Sequence, residues 1–207
     1  MCPRVLGDIK TVDIISRFSN LAVTLNCLLD SSVMPVASTV DTIINRGEVL
    51  AKYVPSDSSA HVGKYRPYAE SNVTAAFATN SINFTLDASI RSAAWFIPGD
   101  VIEGVDGTAL GTIATYNPAT GVGTLAANAS NAYGSGGQAV RLAAANWTLG
   151  SKLGLILVDE CIVEAGVDQP VAGYREGFFV QSLTSLTAAA ITALGAAVET
   201  PGEVRIQ

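Results

Sequence analysis

Histidine, cysteine and charge are what this sequence has little of, and each shortage closes off a class of function. His61 is its one histidine. Metal sites built from several imidazoles are therefore excluded. A Ser-His-Asp or Cys-His centre would have to use this residue with a nucleophile brought from elsewhere. His61 stands between Ala60 and Val62 in a Ser/Gly-rich stretch, which predicts a solvated loop position. Cys2, Cys27 and Cys161 are odd in number and widely spaced, with no C-x-x-C pair, so neither a disulfide framework nor a zinc site is indicated. Charged residues make up 14% of the 207, where ordinary domains carry about 25%. A surface so thinly charged is hard to solvate alone, and part of it is expected to be buried against other subunits.

The charge that is present is acidic, 18 Asp+Glu against 12 Lys+Arg for a net of −6. Nucleic-acid binders draw most of their affinity from phosphate neutralisation and carry a basic excess or stripe. Here the longest basic stretch is Lys64-Tyr65-Arg66, which reads as ordinary strand surface, so no nucleic-acid partner is expected. Met1–Asp8 holds one arginine with no apolar region behind it, which predicts no signal peptide and synthesis in a cytosol. The N-x-S/T triplets at Asn72, Asn83, Asn128 and Asn146 then read as chance in an Asn/Thr-rich chain. From Gly177 to Val198 there is no charged residue, long enough to span a bilayer. Gln181, Ser182, Thr184, Ser185, Thr187 and Thr192 interrupt it, so a helix buried inside an oligomer is the better reading and no membrane is expected.

Motifs that carry chemistry are also missing. There is no G-x-S-x-G elbow and no catalytic-cysteine signature. Asp159-Glu160 with Glu164 could suggest a carboxylate pair, but adjacent residues of a strand point to opposite faces, and a solvated strand end explains them. Gly134-Ser135-Gly136-Gly137 lacks the lysine and helix of a phosphate loop. These readings predict a non-enzymatic protein without cofactor or metal.

What the chain does contain is short β segments and one helical pattern. Residues 1–45 read as an arm: Ile14, Ile15, Phe18, Leu21, Val23 and Leu25 are too few large side chains to fold alone and too many for a solvated linker. Leu21-Ala22-Val23-Thr24-Leu25 is extended enough to add a strand to a partner's sheet edge. A strand and helix packed on the chain's own domain is the plainer alternative. Residues 46–78 hold β-favouring runs, Glu48–Val54 and Lys64–Tyr68, separated by a Ser-rich loop. Residues 79–145 alternate short β runs with the turn signals Pro98-Gly99, Asp106-Gly107 and Asn117–Gly121, which predicts a small antiparallel barrel or sandwich inserted into the domain. In 146–207, Leu153–Val158 reads as a strand buried on both faces and Val171–Val180 as another. Leu183, Leu186, Ala190, Ile191, Leu194 and Val198 recur at helical spacing, with Thr184 or Ser185 as N-cap and Pro201-Gly202 as the stop. Leu186, Ile191 and Leu194 are the residues expected to fill the core or a subunit contact.

The succession Gly154–Glu160, the polar turn Gly166–Pro170, Tyr174-Arg175-Glu176-Gly177-Phe178-Phe179 and the Ala-rich stretch to Ile191-Thr192-Ala193-Leu194-Gly195 follows one recognisable order. It resembles the lambda-type head decoration proteins of tailed phages, whose domain closes with a leucine-rich strand, an acidic turn, an R-G-E strand and an A-A-I-x-A-L helix. Here the letters are Arg175-Glu176-Gly177, so the match is one of pattern. Arg46-Gly47-Glu48-Val49-Leu50-Ala51-Lys52 is similar to that family's opening strand. The resemblance covers residues 46–78 and 146–207. It implies a mainly β (α+β) fold of the β-tulip type with a C-terminal helix, homotrimers on the outer surface of the capsid, and an N-terminal arm on the major capsid protein. The long arm and the 79–145 insert depart from compact members of the family. A head fibre or adhesin that binds glycans through the insert is the alternative function.

Overall fold

A computed structural model describes residues 15–17, 23–35, 41–55, 57, 59–134, 138–150, 153–180, 184–185, 187–194, 197–200 and 203–206. Among the described residues the protein is mainly β, with one short α-helix near its C-terminus. In chain order the strands are β1 (Ile15–Arg17), β2 (Val23–Leu29), β3 (Thr42–Ile44), β4 (Val49–Tyr53), β5 (Tyr65–Pro67) and β6 (Glu70–Ala75). They continue with β7 (Asn83–Leu86), β8 (Val101–Gly104), β9 (Ala109–Tyr116), β10 (Val122–Leu125), β11 (Ala139–Leu142) and β12 (Trp147–Thr148). The last are β13 (Leu155–Leu157), β14 (Cys161–Val163), β15 (Gln169–Val180), then helix α1 (Ala188–Ala193), β16 (Ala197–Thr200) and β17 (Glu203–Ile206).

Two bodies are built from these strands. β6 to β11 close an antiparallel barrel in the order β10-β7-β6-β11-β8-β9. Period-two alternation sends Phe84 and Leu86 of β7, Ile102 of β8, Leu125 of β10 and Val140 of β11 inward, where they are buried. Phe77 stacks on Phe84 at 5.2 Å between centroids, and Tyr116 stands edge-on to Phe96 at 5.7 Å. So narrow a barrel is filled by its own side chains. Where two large rings need room the inward residue is glycine: a Cβ on Gly123 would come within 2.4 Å of the Phe84 ring. The turn glycines Gly107 and Gly121 sit at φ of 87° and 71°, as their hairpins require.

The second body is a nine-stranded sheet with the path β12-β4-β5-β2-β15-β17-β16, joined by β1 and β13. β13 is buried on every residue, as the apolar run Leu153–Val158 predicts. A separate two-stranded ribbon, β14 with β3, lies alongside. Two ion pairs join barrel to sheet, one buried on both sides and one with an exposed arginine. Arg66 on β5 places Nη1 and Nη2 2.5 and 3.2 Å from the Asp100 carboxylate, and Nη2 also donates to the Trp95 carbonyl at 2.5 Å. Glu48 accepts from Trp95 Nε1 at 3.1 Å and pairs with Arg91.

Four expectations are corrected. The arm does not extend over residues 1–45, because β2 pairs with β15 from Leu29↔Gln169 to Val23↔Glu176 and β3 pairs with β14. Leu29, Asp30, Met34 and Ile44 are buried in the domain itself. The inserted body begins at β6 and not at residue 79, since the ring cannot close without the β6–β11 and β6–β7 ladders. The helix is confined to Ala188–Ala193, capped by Thr187, whose Oγ1 accepts from Ala190 N at 3.0 Å. Ser185 instead accepts from Val49 N at 2.7 Å, and the β-branched Val198 lies in β16 opposite Val204. Finally, Lys64-Tyr65-Arg66 is not surface: Tyr65 and Arg66 are buried, because the fold brings Asp100 to the guanidinium.

Candidate interaction surface

β2 reads Val-Thr-Leu-Asn-Cys-Leu-Leu, seven residues without a charge. One edge is taken by β15, and on the other its only partner among the described residues is β5, in parallel, at Leu29↔Tyr65. Among the described residues nothing else pairs with that edge from Val23 to Leu28. Val23, Leu25 and Leu28 are each more than a third exposed. Edge strands are commonly protected by lysine, proline or a bulge on the open side. None of these stands within β2.

The inner end of β2 is held by a polar cluster. Asp30 is wholly buried and accepts from Ser32 N at 3.1 Å and Ser32 Oγ at 2.6 Å. His61 Nδ1 lies 2.6 Å from its Oδ2. The expected solvated histidine is thus half-buried, its ring edge-on to Tyr53 at 5.3 Å, because the 59–64 loop turns back at Gly63 with φ of 78°. Lys64 Nζ is 2.6 Å from Asp168 Oδ2, and Ser31 N and Oγ both donate to Asp168 Oδ1, at 3.0 and 3.1 Å. Burial pulls the Asp168 carboxyl upward, but the Lys64 and Ser31 donors outweigh it and hold it below the usual range. An Asp–His pair is two-thirds of a catalytic triad. The nearby serine hydroxyls are otherwise engaged: Ser31 and Ser32 donate to carboxylates and Ser59 Oγ accepts from His61 N. The cluster ties together the end of β2, the 59–64 loop and the start of β15.

Two concavities flank this region. A groove of about 450 Å³ runs between the β2–β15 pair and the turn into β14, with Asn26, Pro170 and Ala172 on one side and Val158, Asp159 and Glu160 on the other. Asp159 and Glu160 are exposed, as the sequence predicts. A smaller cavity of about 210 Å³ lies where barrel, sheet and α1 meet, lined by Tyr68, Arg141, Trp147, Leu149 and Ala193 among others. Near it Glu70 is buried with its Oε2 lacking a hydrogen-bond partner. Burial raises its pKa, and Thr187, Tyr68 and Arg141 only partly pull it back. Burial also pushes the Cys27 thiol up to about 12, so it is no ready nucleophile.

The residues singled out from sequence separate cleanly. Val23 and Leu25 lie on the open strand β2, where they are exposed. Ile15 is placed as a backbone partner of Phe179 in β1. Ile14, Phe18 and Leu21 lie outside the described residues, as does Leu186. Ile191 and Leu194 are buried inside the subunit, Leu194 so tightly that a Cβ on Gly154 would come within 2.5 Å of it. They serve the core. Sequence reasoning missed the outward-facing Ile43, which is 57% exposed, because an isoleucine in a β run is ordinarily read as core. Among the described residues no helix is long and apolar enough to cross a membrane, and no three His, Cys, Asp or Glu are grouped to hold a metal ion. Comparison with protein-family models, curated proteins and solved structures returns no match.

Proposed function

We propose that this chain is a structural decoration protein of a phage head, a β-tulip-like domain carrying an inserted barrel. It binds the outside of the shell as a homotrimer and stabilises it without catalysing a reaction. The observation that carries this reading is the uncharged, open-edged β2, which leaves Val23, Leu25 and Leu28 exposed in a chain already short of charge. An edge of this kind is suited to adding a strand or being covered by a neighbour. The pattern from Gly154 to Gly195 supplies the family resemblance.

The mechanism is linkage. A protein that binds only the mature shell stabilises that state by mass action, and three joined subunits raise avidity beyond any single contact. The partner is the major capsid protein, with residues 1–22 and β2 as the contacting segment. Two measurements test this. Sedimentation equilibrium at micromolar concentration should find a trimer, in solution or on shells. Shells decorated with the protein should rupture at a higher temperature than bare ones in the same buffer. Equal rupture temperatures would remove the reason to call it cement.

A further inference from the structure

The cavity of about 210 Å³ where barrel, sheet and α1 meet is lined by residues of two kinds. Leu142, Trp147 and Leu149 give it apolar surface and are buried, so that part of the lining is fixed in the core. Tyr68, Arg141 and Thr148 bring polar side chains. Of the lining, Arg141, Ala144, Thr148 and Gly150 are partly exposed, which gives the space a wetter rim. One carboxylate organises that rim. Glu103 Oε1 accepts from Arg141 Nε and Nη2 at 3.1 and 3.0 Å and from Ala144 N at 3.2 Å. A guanidinium held in this way meets a ligand without first having to be ordered. Thr148 Oγ1 accepts from Gly150 N at 3.0 Å, which fixes the chain on the same side.

Size and charge narrow the occupant. At about 30 Å³ for each water the cavity has room for about seven, less than pockets for drug-sized ligands offer, so it suits one small ring. An anion is disfavoured, because Arg141 already pairs with Glu103 and also acts on buried Glu70, so carboxyl groups outnumber the cation there. A cation is disfavoured by Arg141 itself, the charged residue of the lining. A neutral ligand rich in hydroxyls meets neither penalty. Its hydroxyls accept from a guanidinium and exchange hydrogen bonds with the hydroxyls of Tyr68 and Thr148, since each hydroxyl both donates and accepts. The C–H groups of a saturated ring find apolar surface at Trp147 and Leu149.

We infer that this cavity binds a single neutral sugar ring, with Arg141 and Tyr68 serving its hydroxyls and Trp147 and Leu149 its C–H groups. The site belongs to the junction of barrel and sheet, not to the loop tips of the barrel. It does not rest on the decoration reading, and failure to decorate shells leaves it standing.

The test uses the full chain with the methyl glycosides of glucose, galactose, mannose and N-acetylglucosamine, and with sodium acetate and methylammonium chloride as charged probes of small size. Calorimetry and saturation-transfer NMR should show at least one glycoside binding with a Kd of about a millimolar, the range open to so small a ligand. Neither charged probe should bind. Ala144→Leu and Ala193→Leu each add bulk at a partly exposed lining position without removing a hydrogen-bonding side chain. Each should weaken glycoside binding at least about tenfold while the urea midpoint stays at the wild-type value. Arg141→Lys keeps the charge but loses the planar fork and should also weaken binding, which supplies a second test should a filled variant fail to fold. Absence of glycoside binding in both assays, binding of acetate or methylammonium as tight as that of the glycosides, or full affinity in the folded variants would overturn the inference.

Discussion

Removing Arg66 should do more damage than removing any other single charge. Its side chain is 1% exposed and joins β5 of the sheet to Asp100, which leads into β8 of the barrel. Arg66→Met leaves Asp100 buried with the Ile97 N–H, at 2.9 Å, as its one remaining donor among the described residues. The Trp95 carbonyl loses its guanidinium donor, and the Trp147 ring loses the cation 5.6 Å from its centroid. Breaking a buried pair from one side costs about 3–5 kcal/mol, most of it the penalty of the stranded charge. If that is the origin, neutralising the stranded partner should return much of the loss. Arg66→Met with Asp100→Asn should then be more stable than the sum of the single effects by at least about 2 kcal/mol. Urea unfolding read by tryptophan fluorescence suits the question, because Trp95 and Trp147 both stand at this junction. Additive single effects, or an Arg66→Met cost below about 1 kcal/mol, would refute the stranded-charge account.

Three further outcomes follow from the packing. Glu70 has a folded pKa raised by burial, so its contribution to stability is fully present below the unfolded carboxyl value and is lost as pH rises through the folded one. Glu70→Gln should flatten that decline, seen as urea midpoints converging with wild type at acid pH and exceeding it at neutral pH. Gly121→Ala should destabilise the barrel by at least about 2 kcal/mol in thermal unfolding, since φ is positive there and the new Cβ would meet the Leu86 carbonyl oxygen at 1.9 Å. Deleting residues 1–14 should leave native far-ultraviolet circular dichroism and reduce shell occupancy, whereas deleting 1–45 removes β2, β3 and buried Leu29 and Ile44 and should abolish folding.

Local signals in the sequence were sufficient for the barrel's hairpins and for buried strand β13, though not for β6 as a member of the ring. Asp106-Gly107 and Asn117–Gly121 announce their hairpins because glycine alone adopts the left-handed backbone cheaply. Leu155–Leu157 announces a buried strand because nothing in it tolerates water. The partners of buried charge were not legible. Arg66 meets Asp100 from 34 residues away, His61 meets Asp30 from 31, and Ser31 meets Asp168 from 137. No periodicity encodes such distances, so Lys64-Tyr65-Arg66 looked like surface and His61 like a loop residue. β2 was ambiguous for a different reason. Val23, Thr24, Leu25 and Asn26 are exposed on both faces, so no alternation betrays which side is inside. Candidate contact residues were legible only where strand and core roles diverge: Val23 and Leu25 are exposed, whereas Ile191 and Leu194 are committed to the interior.

Burial of charge makes the surface barer than the composition implies. Asp30, Glu48, Arg66, Glu70 and Asp100 all lie inside, though composition alone would place them in water. Buried pairs seldom add net stability over apolar residues of the same shape, and the best-attested use of such groups is to select one arrangement. Here the pairs fix how the barrel sits on the sheet, since Arg66–Asp100 and Glu48–Arg91 both run between them. A fixed arrangement matters to a protein that acts by simultaneous attachment, because avidity collapses when geometry forbids joint engagement. On the decoration reading, loosening the junction with Arg66→Met should therefore reduce shell occupancy more than it reduces the fraction folded. An equal fall in occupancy and in the fraction folded would mean that the substitution acts through unfolding alone.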